Sequence, residues 1–262
     1  VPRIDESGEK HLEWHHGQFM VRHHHRVVEE AAKNQVMVVI HEPVKPTGLC
    51  RTYPNLMSHE GARGQEYNAW AEGSPPEHTM ILPFTRLLAG PMDYTPGVFD
   101  VMLESANRPD NRINTTLAHQ LALYVVIFSP LQMAADLPES YEAHLDAFQF
   151  VRDVPTNWQD TRVLDASIGE YLTIVRQKRD SDEWFLGAVT NGVGRALSAN
   201  LSFLERDRDY IAEIYRDADN ADWQDNPTAY TVEKRHVNAD TALTLLLAPG
   251  GGQAIRFVPA EP

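Results

Sequence analysis

The stretch that decides the fold is residues 36–67, VMVVIHEPVKPTGLCRTYPNLMSHEGARGQEY. It begins with Val36–Ile40, a short and uniformly apolar run rich in β-branched residues. Such a run is typical of a strand that is buried on both faces, as in a parallel sheet. Residues 54–58 and 91–94 are candidates for two further strands of this kind. Helical segments separate the candidates, and alternation of strands and helices predicts an α/β barrel or a doubly wound sheet.

The helical segments are predicted from apolar residues that recur at helical spacing. They cover residues 17–34, 64–72, 81–88, 111–128 and 141–151. The fourth of these has the clearest apolar face. The polar residues before the first helix, 1–16, predict a loop.

After Trp158 the pattern changes to short β-type runs separated by turns of Asp, Asn and Gly. These runs are residues 170–175, 183–189, 196–203, 210–215, 230–234, 241–247 and 254–258. So many strands in about 100 residues predict an antiparallel β-sandwich. We therefore divide the chain into an α/β domain, residues 1–159, and an all-β domain, residues 160–262.

The composition excludes several classes of partner. The net charge is −14, whereas binding to nucleic acid or to an anionic membrane requires a basic surface. The longest clean apolar run, Leu121–Phe128, is far shorter than the ~20 residues of a membrane-spanning helix. The single cysteine, Cys50, rules out a disulfide within the chain.

Three glutamates in the opening stretch carry the candidate chemistry. Glu42 follows the first predicted strand directly, and Glu60 follows the second; in parallel α/β folds, reactive groups gather at these strand ends. Glu66 approaches Glu42 and Glu60 only if the chain turns at Gly61 and Gly64, the two glycines that precede it. Three carboxylates that meet need protons or a cation between them, and calcium suits several carboxylate oxygens. The spacing alone favours three solvated glutamates on loops.

Histidines and one aspartate flank these glutamates. His41 is the last residue of the first predicted strand and is placed to face a substrate. The run His23–His25 suggests a metal site, but consecutive helical residues point in different directions, which disfavours one; we expect His24 to pack in the core. Asp93, at the end of the third predicted strand, is a candidate either for the site or for capping a turn.

Larger motifs give these residues a context. They include His41-Glu42, Pro46-Thr47-Gly48, Arg51-Thr-Tyr-Pro-Asn55, Glu60-Gly-Ala-Arg-Gly-Gln-Glu-Tyr67, Ile81-Leu-Pro-Phe-Thr-Arg86, Gly90-Pro-Met-Asp-Tyr-Thr-Pro-Gly97 and Ser129-Pro-Leu-Gln-Met-Ala-Ala-Asp136. In this order they resemble glycoside hydrolase family 97, and the resemblance extends over essentially the whole chain. It implies hydrolysis of α-glycosides on a (β/α)8 barrel that is preceded by a large β-sandwich and followed by a smaller one. This chain would carry the last three strands and helices of the barrel and the C-terminal sandwich; the N-terminal part would lie upstream.

The resemblance also assigns roles. In the inverting, α-glucosidase-like branch, a glutamate matching Glu66 is the general acid and one matching Glu42 is a general base. Those two and the glutamate matching Glu60 bind Ca²⁺, together with a ligand from the upstream part, which also supplies a second base. The retaining branch lacks the glutamate at position 42, so its presence favours inversion. Among substrate contacts we include His41 and Glu42.

The sequence thus predicts the C-terminal part of a calcium-dependent, inverting α-glucosidase that acts on α-linked oligosaccharides. Two alternatives stay open: a retaining α-galactosidase-like enzyme, and a non-catalytic carbohydrate-binding remnant. A periplasmic or secreted location is implied by the resemblance alone. As an isolated polypeptide, the chain is expected to be inactive and poorly stable, because a barrel segment of three strands leaves a sheet edge uncovered.

Overall fold

The N-terminal residues form a hairpin where the sequence predicted a loop. The computed structural model describes residues 1–103 and 111–260. Strands β1 (Pro2–Ile4) and β2 (Lys10–Leu12) pair antiparallel. The Asp5 carboxylate closes the turn between them by accepting hydrogen bonds from the backbone N–H groups of Ser7 and Glu9. The prediction was wrong because strands this short and polar carry no alternating pattern.

The first α/β unit contains the predicted first helix and first two strands, together with a short helix that was not predicted. It consists of helix α1 (Gln18–Lys33), strand β3 (Val38–Ile40), helix α2 (Leu49–Thr52) and strand β4 (Leu56–His59). The two strands are parallel, as their apolar character predicted. They therefore place their carboxyl ends, which lead into Glu42 and Glu60, at the same edge of the sheet.

The third predicted strand is reduced to an isolated β-bridge. Met92 forms an isolated parallel bridge with His59, and its N–H donates to the Phe128 carbonyl at 3.1 Å. Short turns replace the two long helices predicted before it: a 3-10 helix (Gln65–Ala69), α3 (His78–Ile81), and two further 3-10 turns, Leu82–Phe84 and Arg86–Ala89. Prolines in and between these turns prevent longer helices, because proline has no N–H to donate.

Helix α4 (Leu117–Val126) connects the two halves of the chain. All of its residues are buried, and the Thr116 hydroxyl caps its first turn by accepting from the His119 N–H. It begins later than the sequence predicted. Two helices, α5 (Pro138–Glu142) and α6 (Leu145–Asp153), follow it, and they bury Tyr141, Ala147 and Phe150 in the core.

The C-terminal region is an antiparallel β-sandwich, as predicted. Its strands are β5 (Trp158–Ser167), β6 (Tyr171–Lys178), β7 (Trp184–Thr190), β8 (Arg195–Asn200), β9 (Tyr210–Asp217), β10 (Tyr230–Val237), β11 (Ala242–Leu247) and β12 (Gly252–Pro259). Six strands form one sheet in the order β10-β9-β12-β7-β6-β5, and β11 pairs with β8 in a second. The sequence missed β5, a largely exposed edge strand whose charged residues hide its period.

Two apolar cores hold these layers together. One lies between the two sheets and includes Leu186, Leu245 and Phe257. The other lies between α4 and the opposite face of the large sheet, where it includes Leu121 and Phe185. The large sheet is therefore covered on both faces. In the described ranges, no helix combines the length and apolar character needed to cross a membrane.

Candidate active site

His41 and Asp93 form the most buried pair of the site. The Asp93 carboxylate is fully buried, and its Oδ2 lies 2.8 Å from His41 Nε2. The Asp93 N–H donates to the His59 carbonyl, and its Oδ1 accepts from the Thr95 N–H. The aspartate is thus fixed at the end of the third parallel segment, and it orients the imidazole at the end of β3. The sequence left two roles open for Asp93, and the structure shows both. The aspartate closes a turn, and it also faces the site.

The other ring nitrogen of His41 faces two glutamates. His41 Nδ1 lies 3.3 Å from Glu66 Oε1 and 3.9 Å from Glu60 Oε2. Burial opposes the charged form of the imidazole, but hydrogen bonding to Asp93 and the charges of the surrounding carboxylates outweigh it. Together these interactions raise the pKa of His41. A positive charge on this ring would offset the repulsion between the two carboxylates.

Glu60 is held by backbone groups. Its Oε1 accepts from the Gly64 N–H and its Oε2 from the Glu42 N–H, each at 3.2 Å. A Cβ at position 64 would lie 2.7 Å from Glu60 Oε1, so only glycine allows this approach. Gly61, with φ of +61°, supplies the turn that brings Glu66 back toward Glu60. The structure thus brings these two glutamates together in the way that the glycines predicted.

Glu66 is the more accessible of the two. It lies in the first turn of the 3-10 helix that follows Gly64, and 44% of its side chain is exposed. A cavity of about 570 Å³ opens beside it. The lining is mostly apolar and includes Ala69, Val98, Leu103, Ile113, Ala135 and Leu137. A carboxyl group at the wall of such a cavity can exchange a proton with a group bound there.

Glu42 stands apart from this cluster. Its backbone is left-handed, with φ of +48°, which is uncommon for a residue with a side chain and is found preferentially at functional sites. Its N–H is directed to Glu60, while the residue itself is exposed. The set of groups that converge within 4.8 Å consists of His41, Glu60 and Glu66. Of the three predicted ligands, the structure therefore brings Glu60 and Glu66 together and leaves Glu42 outside this set.

The converging groups fit a divalent cation. Two carboxylates whose oxygens approach each other, one of them 9% exposed, offer hard anionic ligands of the kind that calcium takes. The Glu42 N–H donates to Glu60 Oε2, so the Glu42 backbone borders these two carboxylates. His41 fits this role less well, since calcium prefers oxygen donors.

A second group of possible metal ligands lies in the N-terminal hairpin, where the sequence analysis named no ligands. Asp5, Glu9 and His11 offer ligand atoms within 4.8 Å of one another. His11 Nε2 lies 2.7 Å from Asp5 Oδ2. Because the same carboxylate also accepts from Ser7 and Glu9, local turn contacts account for this arrangement.

Comparison with known proteins places these features in a family. A profile described as "Glycosyl-hydrolase 97 C-terminal, oligomerisation" matches residues 157–258, and one described as "Glycoside hydrolase 97" matches residues 6–62. The chain belongs to glycoside hydrolase family 97. A family 97 enzyme from Pseudoalteromonas sp. strain K8 in complex with acarbose is 50% identical, with a TM-score of 0.93. The match covers 100% of this chain and 40% of that one.

Two curated relatives of this family 97 chain are named as retaining alpha-galactosidases. A retaining alpha-galactosidase from Bacteroides thetaiotaomicron is 34% identical over 92% of this chain and 36% of its own length. A probable retaining alpha-galactosidase from Streptomyces bingchenggensis is 31% identical over 69% of this chain and 26% of its own length. The chain thus spans only about two-fifths or less of the proteins it matches.

Arg86 belongs to this cluster, and the sequence did not single it out. Arg86 appeared only within a motif, yet its guanidinium donates to the carbonyls of His59 and Glu60, each at 2.8 Å. No pattern distinguishes it from a surface arginine. Only the register of the strands brings it behind Glu60.

Proposed function

We propose that this chain is the C-terminal part of a calcium-dependent glycoside hydrolase that cleaves α-glucosidic bonds in oligosaccharides with inversion. The observation that carries the proposal is the convergence of Glu60, Glu66 and His41 where parallel strands end, beside an open cavity. In parallel α/β folds this edge is where substrates bind.

The choice of α-glucosides rests on the relatives and on Glu42. The chain is 49–50% identical to an enzyme seen in complex with acarbose and with panose, both of which contain α-linked glucose-like rings. It is only 34% identical to the retaining alpha-galactosidase. The family resemblance ties a glutamate at position 42 to the inverting branch. A retaining α-galactosidase-like activity is the second candidate, because the curated relatives carry that name.

The two carboxyl groups would act on opposite sides of the sugar. Glu66, at the cavity wall, would donate a proton to the leaving oxygen, and Glu42 would take a proton from the attacking water. An inverting enzyme needs these groups about 6.5–9.5 Å apart, so that a water fits between base and sugar. Glu42 is not among the groups that converge within 4.8 Å of one another, which supports different roles for Glu42 and Glu66. His41, held by Asp93, would hydrogen-bond the bound sugar.

Glu42, Glu60 and Glu66 would hold the calcium ion, with further ligands from the upstream part of the protein. When bound, calcium would neutralise the clustered carboxylates and polarise the groups that it binds. The Glu60 carboxylate is held in place by two N–H groups before any ion arrives. This preorganisation lowers the cost of ordering the ligand on binding.

The strand pair β3–β4 and the Met92 segment would be the last three strands of a (β/α)8 barrel. Their parallel arrangement supports this interpretation, as does the apolar surface that the described residues leave exposed, which includes Val36, Met37 and Trp70. The upstream part of the protein would complete the barrel and supply the second base. A periplasmic or secreted location remains part of this proposal and rests on the family resemblance.

The anomer released first tests the mechanism. The full-length protein is mixed with an α-glucoside in an NMR tube, and proton spectra are recorded before mutarotation. The β-anomer is expected first, and initial release of the α-anomer would overturn inversion. Faster cleavage of α-galactosides than of α-glucosides would favour the second candidate. Binding of oligosaccharide without any turnover would identify a carbohydrate-binding remnant instead.

A further inference from the structure

The guanidinium of Arg86 contacts the backbone of two neighbouring segments. It donates to His59 O and Glu60 O at the end of β4, each at 2.8 Å. It also donates to Gly90 O and Pro91 O, each at 3.2 Å, just before the third parallel segment. One half-buried side chain thus joins four carbonyl groups where the regular pairing of the strands ends.

Arg86 makes these contacts without an acidic partner. Across the described ranges it forms no ion pair, and burial alone lowers its pKa. An arginine used in this way is costly, because its charge loses hydration without gaining a counter-ion. The planar fork of N–H donors explains the choice: no other side chain can satisfy four carbonyls in fixed directions.

The carbonyls that Arg86 holds belong to the framework of the site. His59 O also accepts from the Asp93 N–H at 3.0 Å, and the Glu60 N–H donates to Ile40 O at 3.0 Å. The guanidinium therefore holds the backbone at His59 and Glu60, and backbone hydrogen bonds link these residues to Asp93 and to Ile40, which precedes His41. A shift between the two segments would move Glu60 relative to Asp93 and His41.

The Glu60 side chain is held mainly by backbone groups, so its position depends on the contacts that Arg86 makes with the main chain. Its carboxylate is oriented by two backbone N–H groups, and the nearest side-chain nitrogen, His41 Nδ1, is 3.9 Å away. Its position therefore follows the path of the main chain through Gly61. A Cβ at Gly61 would lie 2.8 Å from Arg86 Nε, which shows how closely the turn wraps around the guanidinium.

We propose that Arg86 is a positioning residue that fixes the Glu60 carboxylate opposite His41 and Glu66 by clamping the end of β4 to the segment before Met92. Its consequence for calcium binding and turnover rests on the proposed function. Its consequence for the position of Glu60 does not.

The experiment compares the full-length wild type with Arg86→Lys, which keeps the charge and loses the fork, and with Arg86→Gly. Calcium affinity is measured by titration calorimetry, and kcat and KM are measured on an aryl α-glucoside. We expect the calcium Kd to rise about 10- to 100-fold in both variants, as is usual when the support of a metal ligand is removed. We expect millimolar guanidinium chloride, compared with NaCl at equal ionic strength, to restore activity in Arg86→Gly but not in Arg86→Lys.

A matched control separates positioning from general loss of stability. Arg176 is also buried and donates to a backbone carbonyl, that of Val125, but it does so at the junction with the sandwich. Arg176→Lys is expected to lower the melting temperature while leaving the calcium Kd and the response to guanidinium unchanged. If it weakens calcium binding as much as Arg86→Lys does, the positioning role is overturned.

Two further measurements keep the proposal testable. If Arg86→Lys does not fold, Arg86→Gly is purified with guanidinium chloride, and its calcium Kd is expected to rise when the guanidinium is exchanged for NaCl. If the wild type neither cleaves α-glucosides nor binds calcium, the proposed function fails, and crystal structures of wild type and variant then decide on Arg86 alone. Movement of the Glu60 carboxylate by more than about 0.5 Å relative to His41 supports the clamp. An unmoved carboxylate, or a calcium Kd within twofold of wild type, overturns it.

Discussion

The Oδ2 atom of Asp93 lies 2.8 Å from His41 Nε2, with the carboxylate fully buried and the imidazole at the surface of the site. Such a pair fixes both the ring orientation and the nitrogen that carries the proton. We therefore expect Asp93→Asn to reduce kcat/KM for an α-glucoside about 10- to 100-fold, as loss of a supporting carboxylate usually does. The measurement is steady-state kinetics of the full-length protein.

The control for Asp93 is Asp146→Asn, which removes a carboxylate that bonds the Tyr230 hydroxyl, away from the site. Its kcat/KM should match that of the wild type. A kcat/KM for Asp93→Asn within twofold of wild type would show that His41 needs no orientation by the aspartate.

Glu66→Gln tests the proposed general acid. The amide has no proton to donate, so the loss of rate should depend on how much help the leaving group needs. We expect kcat/KM for maltose to fall about 10²- to 10⁴-fold. For a nitrophenyl α-glucoside, whose leaving group departs without protonation, the fall should be much smaller.

Glu72→Gln is the matched control for Glu66, because Glu72 is a nearby exposed glutamate that contacts the Tyr67 hydroxyl. It should behave as wild type on both substrates. Equal losses on maltose and on the nitrophenyl glucoside in Glu66→Gln would contradict an acid role.

The cation proposal is tested by removing calcium. At a concentration of calcium 100-fold above its Kd, binding adds about 2.7 kcal/mol to the free energy of unfolding. A chelator should therefore lower the melting temperature of the full-length protein, and added CaCl₂ should restore it. Glu60→Gln should abolish this response, whereas Glu72→Gln should retain it. A melting temperature that changes with neither the chelator nor added calcium would contradict the proposed calcium site.

The sequence predicted the regular parts of the fold because a local pattern of apolar residues indicates each of them. The apolar run Val36–Ile40 predicted β3, and the apolar spacing of residues 17–34 predicted α1. Strands such as Trp184–Thr190 have uniformly buried residues and were found for the same reason. Trp158–Ser167 was missed because an edge strand pairs on one side only and mixes charged residues on its exposed face.

The site was predictable only where nearby residues determine it. The approach of Glu66 to Glu60 follows from two glycines in the turn between them. The pairing of His41 with Asp93 spans 52 positions and depends on the register of parallel segments, which no local pattern encodes. The left-handed backbone of Glu42 and the contact of its N–H with Glu60, 18 positions away, were likewise not predicted from the sequence.

Asp217 gives the junction with the sandwich a dependence on pH. Its buried carboxylate accepts from the Thr116 hydroxyl and from the N–H groups of Ala248 and Gly252. Burial nevertheless dominates and raises the pKa of Asp217 to about 6. The folded protein therefore keeps this proton to a higher pH than the unfolded chain does, and stability is lost as the pH rises from about 4 to about 6.

Asp217→Asn should remove this dependence. Its amide oxygen can accept from the two N–H groups while its NH₂ donates to the Thr116 hydroxyl, so the contacts survive without a charge. We expect the free energy of unfolding of the variant, relative to wild type, to improve by about 2 kcal/mol between pH 4 and pH 7. Urea denaturation at both pH values measures this difference. A relative stability that does not change with pH would show that Asp217 is ionised at its ordinary pKa.

The docking of α4 on the large sheet depends on the absence of a side chain at Gly252. A Cβ there would lie 2.6 Å from His119 Cα and 3.0 Å from the Ala188 carbonyl, so the added methyl group meets backbone that cannot turn aside. We expect Gly252→Ala to destabilise the protein by at least about 1–3 kcal/mol, the usual cost of overpacking. Gly192→Ala is the matched control, because its Cβ would meet only Trp223 Nε1, at 3.9 Å. Thermal unfolding should show a clear loss for the first variant and almost none for the second, and equal melting temperatures would mean that α4 can move away from the sheet without cost.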